Sequence, residues 1–294
     1  MKLSTLMTAV VLATACVTAA HADTLKKVAD SGKITLSYRD SSVPFSYIVG
    51  PGKPVGFSAD LSNAIVQEIK RVTNKSVLEI EYMPVTSQNR IPLLVNGTID
   101  LECGSTTNNS TRGKDVAFST NIFYTGTRLL AKKTSKVKNY ADLSGKTISS
   151  TTGTTNSQVM RKYNADKALN MQIVLGKDHA DSMLLVEGDR AVAFAMDDIL
   201  LFGLMANSKN PAEWEVVGDS LQVEPYACML RKDDPKMKAL VDGVIGKMMA
   251  NGEFAKLYTK WFASPIPPKN INLSLPMSAQ LKDNLKERSD KPAL

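Results

Sequence analysis

TISSTTGTTNSQVMRKYNADKALNMQIVLGKDHADSMLLVEGDRAVAFAMDDILLFGLMA, residues 147–206, alternates short β-branched or apolar runs with segments of helical spacing. Thr147–Ser150, Met171–Leu175 and Ala191–Met196 read as strands. Thr155–Lys162, Asp181–Glu187 and Asp198–Ala206 read as the helices that follow them, the second closed by Gly188. Alternation sustained over this length predicts an α/β architecture with mainly parallel sheets. The same rhythm stands upstream: Ile34–Arg39 strand, Leu61–Val72 helix, Leu78–Val85 strand, Gln88–Val95 helix, Ile99–Gly104 strand. Asn96-Gly97 ends the second of these helices, the glycine supplying a left-handed cap. Downstream, Glu224–Lys232 is one more strand-like run. A single long amphipathic helix is expected from about Asp234 to Phe262, with Met237, Leu240, Val241, Val244, Ile245, Met248 and Met249 facing a core. Pro265–Pro268 stops it, and Ser278–Arg288 reads as a last surface helix.

The chain opens with Lys2, an uncharged apolar stretch from Leu6 to Ala20, and Ala20-His21-Ala22. A basic start, a short apolar core and small residues at the −3 and −1 positions make a secretory signal peptide, with cleavage expected after Ala22. The apolar run is shorter than the roughly 20 residues of a spanning helix. Ala13-Thr14-Ala15-Cys16 resembles a lipoprotein cleavage site, but Ala13 stands where an aliphatic residue is usual, so lipidation at Cys16 is the poorer reading. Beyond the 22-residue leader, 272 of the 294 residues remain, enough for two medium domains. Its 36 basic against 29 acidic residues are spread along the sequence, with no Lys/Arg block and no aromatic–basic interleaving. That argues against a nucleic-acid binder and favours a solvated basic surface, with a mild pull on anionic small molecules as the alternative.

Two cysteines lie beyond the leader, Cys103 and Cys228. In an exported chain they are expected to pair; the alternative is two buried free thiols. If they pair, the chain has returned to its first lobe by residue 228. The second lobe is then an insertion, entered near 123–132 and left near 222–230. Two crossing strands between α/β lobes form the hinge of a clamshell ligand trap. The expected division is a signal peptide at 1–22, lobe 1 at 23–122 and 226–294, and lobe 2 at 123–225.

Signatures of enzymes are mostly missing. There is no Gly-x-Ser-x-Gly elbow and no Gly-x-Gly-x-x-Gly, and Gly145-Lys146-Thr147 lacks the first P-loop glycine because Tyr140 occupies its place. With His21 lost in the leader, His179 is the one remaining histidine. One histidine and two distant cysteines make none of the usual zinc sites. No metal and no cofactor are expected. The polar residues instead gather at strand ends, where open α/β sheets hold ligands. Arg39 closes the first strand, and Ser105, Thr106, Thr107 and then Arg112 follow Gly104. Gly153-Thr154-Thr155-Asn156 opens a helix and offers free N–H groups to an anion. Lys177-Asp178-His179 and Asp197-Asp198 follow two further strands. Singly, each also reads as an ordinary cap or surface residue. Together, cations, hydroxyls and a helix start suit carboxylates, and Asp197 suits an ammonium.

YRDSSVPFSY (38–47), TSQNRIPLLVNGTIDLECGSTTNN (86–109), GTTNS (153–157), KDHADS (177–182), AMDD (195–198), YACMLRKDDP (226–235) and PIPPKN (265–270) resemble the polar-amino-acid solute-binding proteins that serve ABC transporters. The likeness spans essentially the whole chain beyond the leader. TSQNRIPLL and ECGSTTNN are specific to the branch that takes acidic amino acids. The resemblance implies a two-lobe periplasmic-binding-protein clamshell of type II, glutamate or aspartate as ligand, a membrane ABC permease as partner, and a periplasmic monomer. It implies that Arg112 holds the ligand α-carboxylate, helped by Thr107 and the backbone at Thr155 beside Thr154. Asp197 would pair with the α-ammonium, assisted by Ser105. Arg39, Ser87, Arg90 and His179 would receive the side-chain carboxylate, Arg39 and Arg90 having no acidic partner evident beside them in sequence. Two other classes compete: a dehydratase-like enzyme on the same fold, centred on His179, and a sensory ligand module, which normally continues into a membrane helix or signalling domain beyond the position of Leu294.

Overall fold

The structure is a computed structural model that describes residues 22–293. The expected leader with its Cys16 lies outside the described residues, apart from Ala22. Among the described residues no helix is long and apolar enough to cross a membrane.

Residues 127–217 build one five-stranded sheet in the order Trp214–Val217, Thr127–Lys132, Ala193–Asp197, Thr147–Thr151, Gln172–Gly176. The last three run parallel, and Thr127–Lys132 lies antiparallel to its neighbours on both sides. Helices Thr155–Lys167, His179–Glu187 and Asp198–Asn207 follow the three parallel strands, as the alternation of the sequence requires. The inner strands Thr147–Thr151 and Ala193–Asp197 are buried because both sheet faces are covered there, which explains continuous runs such as Ala193–Asp197, whereas the edge strand Gln172–Gly176 is largely exposed or half-buried.

The other lobe is assembled from both sides of this insertion. Lys33–Tyr38 pairs parallel with Glu79–Pro84. Its other edge meets Leu101 in a parallel bridge, Glu102 bridges Met229 antiparallel, and Met229–Arg231 pairs with Val116–Phe118. The expected strand Ile99–Gly104 is thus an extended segment held by single bridges, parallel on one side and antiparallel on the other. The disulfide Cys103–Cys228, with Cα atoms 4.3 Å apart, joins this segment to the returning chain. Bridges closing loops of this length contribute about 2–4 kcal/mol.

Phe123–Thr125 and Glu224–Tyr226 cross between the lobes as an antiparallel pair. Phe123 and Tyr226, opposite one another in that pair, both lean on Phe45, with ring centroids 5.0 and 5.2 Å away in edge-on geometry. Phe45 also meets Phe262 at 5.4 Å. This aromatic cluster, completely or almost completely buried, anchors the crossing strands in the core of the first lobe.

One expected element divides in two. The helix read over 234–262 is Pro235–Asn251 followed by Glu253–Phe262, broken at Gly252, whose φ is +83°. Apolar periodicity continues through the break, but Asn251-Gly252 is a turn pair and the glycine takes the left-handed conformation that ends helices.

Candidate functional site

The carboxyl ends of the parallel strands of both lobes face one another, and the lobes are closed. Between them lies a small cavity with a mostly polar lining. Ser87, Arg90, Ser105, Thr107 and Arg112 line it from one lobe. Thr154, Thr155, Asn156, His179 and Asp197 line it from the other. Larger grooves run beside Tyr124 and Val223, and between the helices Phe57–Thr73 and Pro235–Asn251, but both lie open at the surface.

One end of the site is cationic. Arg90, in the first turn of the helix Arg90–Val95, is buried, and its Nη1 donates to the carbonyl of Ser105 at 3.3 Å. Its Nε has no partner. No carboxylate among the described residues forms an ion pair with it. Burial, with the charge of Arg112 added, pulls its pKa down to about 9. Beside it, Arg39 does not line the cavity but stands behind it, fully buried. Its Nη2 donates to Ser87 Oγ at 3.0 Å and to Asp178 Oδ1 at 2.8 Å. Asp40, beside Arg39 in sequence, forms no ion pair with it; the partner of Arg39 comes from the opposite lobe, 139 positions away. Asp178 also accepts from Ser41 Oγ at 2.5 Å. Burial works to raise the Asp178 pKa, but the Arg39 guanidinium and these hydrogen bonds hold it below the usual carboxylate range.

His179 begins the helix His179–Glu187 and is buried. Its Nε2 lies 3.3 Å from Arg39 Nη2 and its Nδ1 3.0 Å from Thr151 Oγ1. A guanidinium can only donate, so Nε2 accepts and Nδ1–H donates to the threonine. Burial first, and then the charge of Arg39, lowers its pKa to about 3, so the imidazole is neutral. A neutral, tightly held histidine is a polar wall, not a third cation.

The opposite end holds two buried carboxyl groups. Asp197 closes the strand Ala193–Asp197 and is buried. It accepts from Asn156 Nδ2 at 2.7 Å and from the Tyr226 hydroxyl. Burial, and then the charge of Glu224, raise its pKa well above that of an ordinary aspartate. Glu224, on the returning crossing strand, is equally buried. Its Oε2 accepts from Thr107 Oγ1 at 2.5 Å and Thr155 Oγ1 at 2.6 Å, and its Oε1 from Gln222 Nε2 at 2.5 Å.

Arg112 joins the two ends. Its Nη1 donates to the carbonyl of Thr107 at 3.0 Å and its Nη2 to that of Gly153, across the cleft, at 3.2 Å. Burial lowers its pKa, and Glu224, Asp197 and Glu102 pull the other way. Gly153 has φ +78°, and a Cβ there would lie 2.6 Å from Gln88 Cα in the facing lobe. Only glycine lets the lobes approach this closely. Thr154 lines the cavity, but its hydroxyl caps the helix Thr155–Lys167, donating to Thr151 O at 2.7 Å and accepting from Ser157 N at 3.2 Å. Ser105 turns its hydroxyl to Ser42 at 3.2 Å.

The geometry adds Glu224 and Tyr226 to the residues singled out from sequence, and gives Asp178 and Asn156, which stood in the strand-end runs, their partners Arg39 and Asp197. Glu224 carried a signal: a lone acid inside the apolar run VEPYACML. Tyr226 carried none, because only the fold aims it at Asp197.

Comparison with known proteins places this geometry. The profile of a family described as bacterial extracellular solute-binding proteins, family 3, matches residues 34–264. A Pseudomonas aeruginosa protein named L-glutamate/L-aspartate-binding protein is 48% identical over 99% of this chain and 97% of its own. An Escherichia coli K12 protein named glutamate/aspartate import solute-binding protein is 50% identical over 92% of this chain and 90% of its own. Among solved structures, a mutant of ArgBP from T. maritima superposes with a TM-score of 0.73 at 26% identity, covering 82% of this chain and 99% of that one.

Proposed function

Because this chain belongs to the bacterial extracellular solute-binding proteins of family 3, we propose that it captures the acidic L-amino acids glutamate and aspartate and delivers them to an ABC permease in the membrane. The observation that carries the ligand class is the polarity of the closed cavity, with an unpaired buried Arg90 at one end and Asp197 at the other. An amino acid's ammonium and α-carboxylate match Asp197 and Arg112; a second carboxylate matches Arg90. Arg39 contributes through Ser87 and His179, since Asp178 already balances its charge. The relatives' names point the same way.

The reading includes export with cleavage after Ala22, a monomer, no chemistry of its own, and the lobe boundaries 23–122 with 226–294, and 123–225. The contiguous sheet within 127–217 and the crossing pair support those boundaries.

Closing around a neutral side chain would leave Arg90 buried without a counter-charge. Breaking a buried charge pair costs about 2–5 kcal/mol, which is a preference of roughly 30- to several-thousand-fold. Calorimetric titration should therefore show glutamate and aspartate binding far more tightly than glutamine and asparagine. Arg90→Lys should lose much of that preference, because an ammonium lacks the planar pair of donors that fits a carboxylate. Equal affinity of the wild-type protein for glutamate and glutamine would overturn the ligand class.

A further inference from the structure

We propose that Glu224 is a positioning residue that turns the hydroxyls of Thr107 and Thr155 into acceptors facing the cleft, adding both to the ammonium-binding end formed by Asp197. The proposal rests on the reading that an amino acid occupies the cavity.

An ionised carboxylate only accepts hydrogen bonds, and each threonine hydroxyl has a single proton to give. Both protons converge on one atom, Glu224 Oε2, from Thr107 in one lobe and Thr155 in the other. The two hydroxyl oxygens stand 3.4 Å apart beside the cavity, each with lone pairs left over. Oxygens whose protons point away attract an N–H donor and repel a carboxylate. Thr107, expected to assist the α-carboxylate, is therefore assigned to the ammonium instead. The carboxylate falls to Arg112 and the free N–H groups that open the helix Thr155–Lys167.

Glu224 is suited to this task by its own restraints. It is 2% exposed, and Gln222 Nε2 fixes its second oxygen while also donating to Thr127 Oγ1 at 2.8 Å. The carboxylate cannot rotate away without breaking that bond. Its place on the crossing strand lets it reach one threonine from each lobe, which is possible only when the lobes are closed. Closure thus completes the ammonium end. After burial, the charge of Glu224 is also the next cause of the raised pKa of Asp197, so two acids compete for one cation.

The test is titration with L-glutamate of the wild type, Glu224→Ala, Glu224→Gln, the pair Thr107→Val with Thr155→Val, and the combination of that pair with Glu224→Ala. Hydrogen bonds to charged groups set the expected loss for Glu224→Ala at about ten- to a hundred-fold in affinity. Glu224→Gln keeps a carbonyl acceptor and should recover most of it. The threonine pair should lose a similar factor, and the combination should be no weaker than its weaker parent, because the same interaction has been removed twice. Should Glu224→Ala not fold, Glu224→Met takes its place in the same cycle. Additive losses, wild-type affinity in Glu224→Ala, or a Glu224→Gln as weak as Glu224→Ala would each overturn the positioning role while leaving the ligand class standing. A wild-type protein that binds neither glutamate nor aspartate would overturn both.

Discussion

His179 and Asp197 respond to pH in opposite directions. The fold holds His179 neutral, with its pKa lowered to about 3 by burial and by Arg39. An unfolded histidine takes up a proton near pH 6.5. Stability from this residue is therefore complete above about 6.5 and drains away as the pH falls toward about 3. Asp178, also depressed, keeps its contribution down to the ordinary aspartate pKa of about 3.9 and loses it only in stronger acid. Asp197 is raised, so its protonated form suits the free protein, and its contribution is lost as the pH climbs through that higher pKa. A ligand ammonium at Asp197, as proposed, would favour its ionised form and reverse this preference. His179→Gln can still accept from Arg39 and donate to Thr151. We expect it to flatten the dependence of Tm on pH between about 6.5 and 4; an unchanged slope there would contradict the buried neutral imidazole. These partnerships explain what the sequence shows of the site. Arg112, Asp197 and His179 announce themselves at strand ends, where the fold class alone puts ligands. The Arg39–Asp178 pair does not, because each partner belongs to a different lobe and only closure brings them together.

The helix Thr155–Lys167 brings its first turn to the cavity because Gly153 precedes it. With φ +78° and Gln88 backbone in the space of a side chain, Gly153 is a contact between lobes as much as a turn residue. Gly153→Ala should place left-handed strain of about 1–2 kcal/mol on the turn and should hold the lobes apart. We expect solution scattering to show the wild type contracting on adding glutamate and the variant contracting less, with weaker binding. Equal contraction in the two proteins would remove Gly153 from the closure contact. At this scale the sequence is legible where periodicity and stop signals agree, as in Asp198–Asn207. It misleads where periodicity outruns a stop signal, as at Gly252. It also misleads at 99–104, where alternation describes an extended segment whose pairing partners come from distant chain.

The family profile ends at residue 264, yet the chain continues and packs against the loop that carries Arg112. Residues 289–293 lie along the Thr107–Arg112 loop and the start of the crossing strand. Ala293 bridges Asn109, and Asn108 Nδ2 donates to the carbonyl of Asp290 at 2.8 Å. Buried Asn121 is the knot: it accepts from Asn108 Nδ2 at 3.0 Å and donates to the carbonyl of Lys291 at 2.9 Å. Asn121→Ala leaves buried polar groups unpaired, a cost of about 1–3 kcal/mol, which in a chain of this size lowers Tm by several degrees. A glutamate affinity that falls with it would show that the strap supports the loop carrying Arg112; a Tm within a degree of wild type would dismiss the knot. The lobe interleaving has a consequence in time. A chain that emerges amino end first possesses the whole five-stranded sheet once residue 217 has appeared. At that moment Met229–Arg231 is still missing from the other sheet, and Cys103 has no partner until residue 228 arrives. Thr155, His179 and Asp197 are made together with that sheet, whereas the strands behind Arg112 need residues that come later. A fragment ending at residue 217 would therefore carry one wall of the pocket whole and only part of the other.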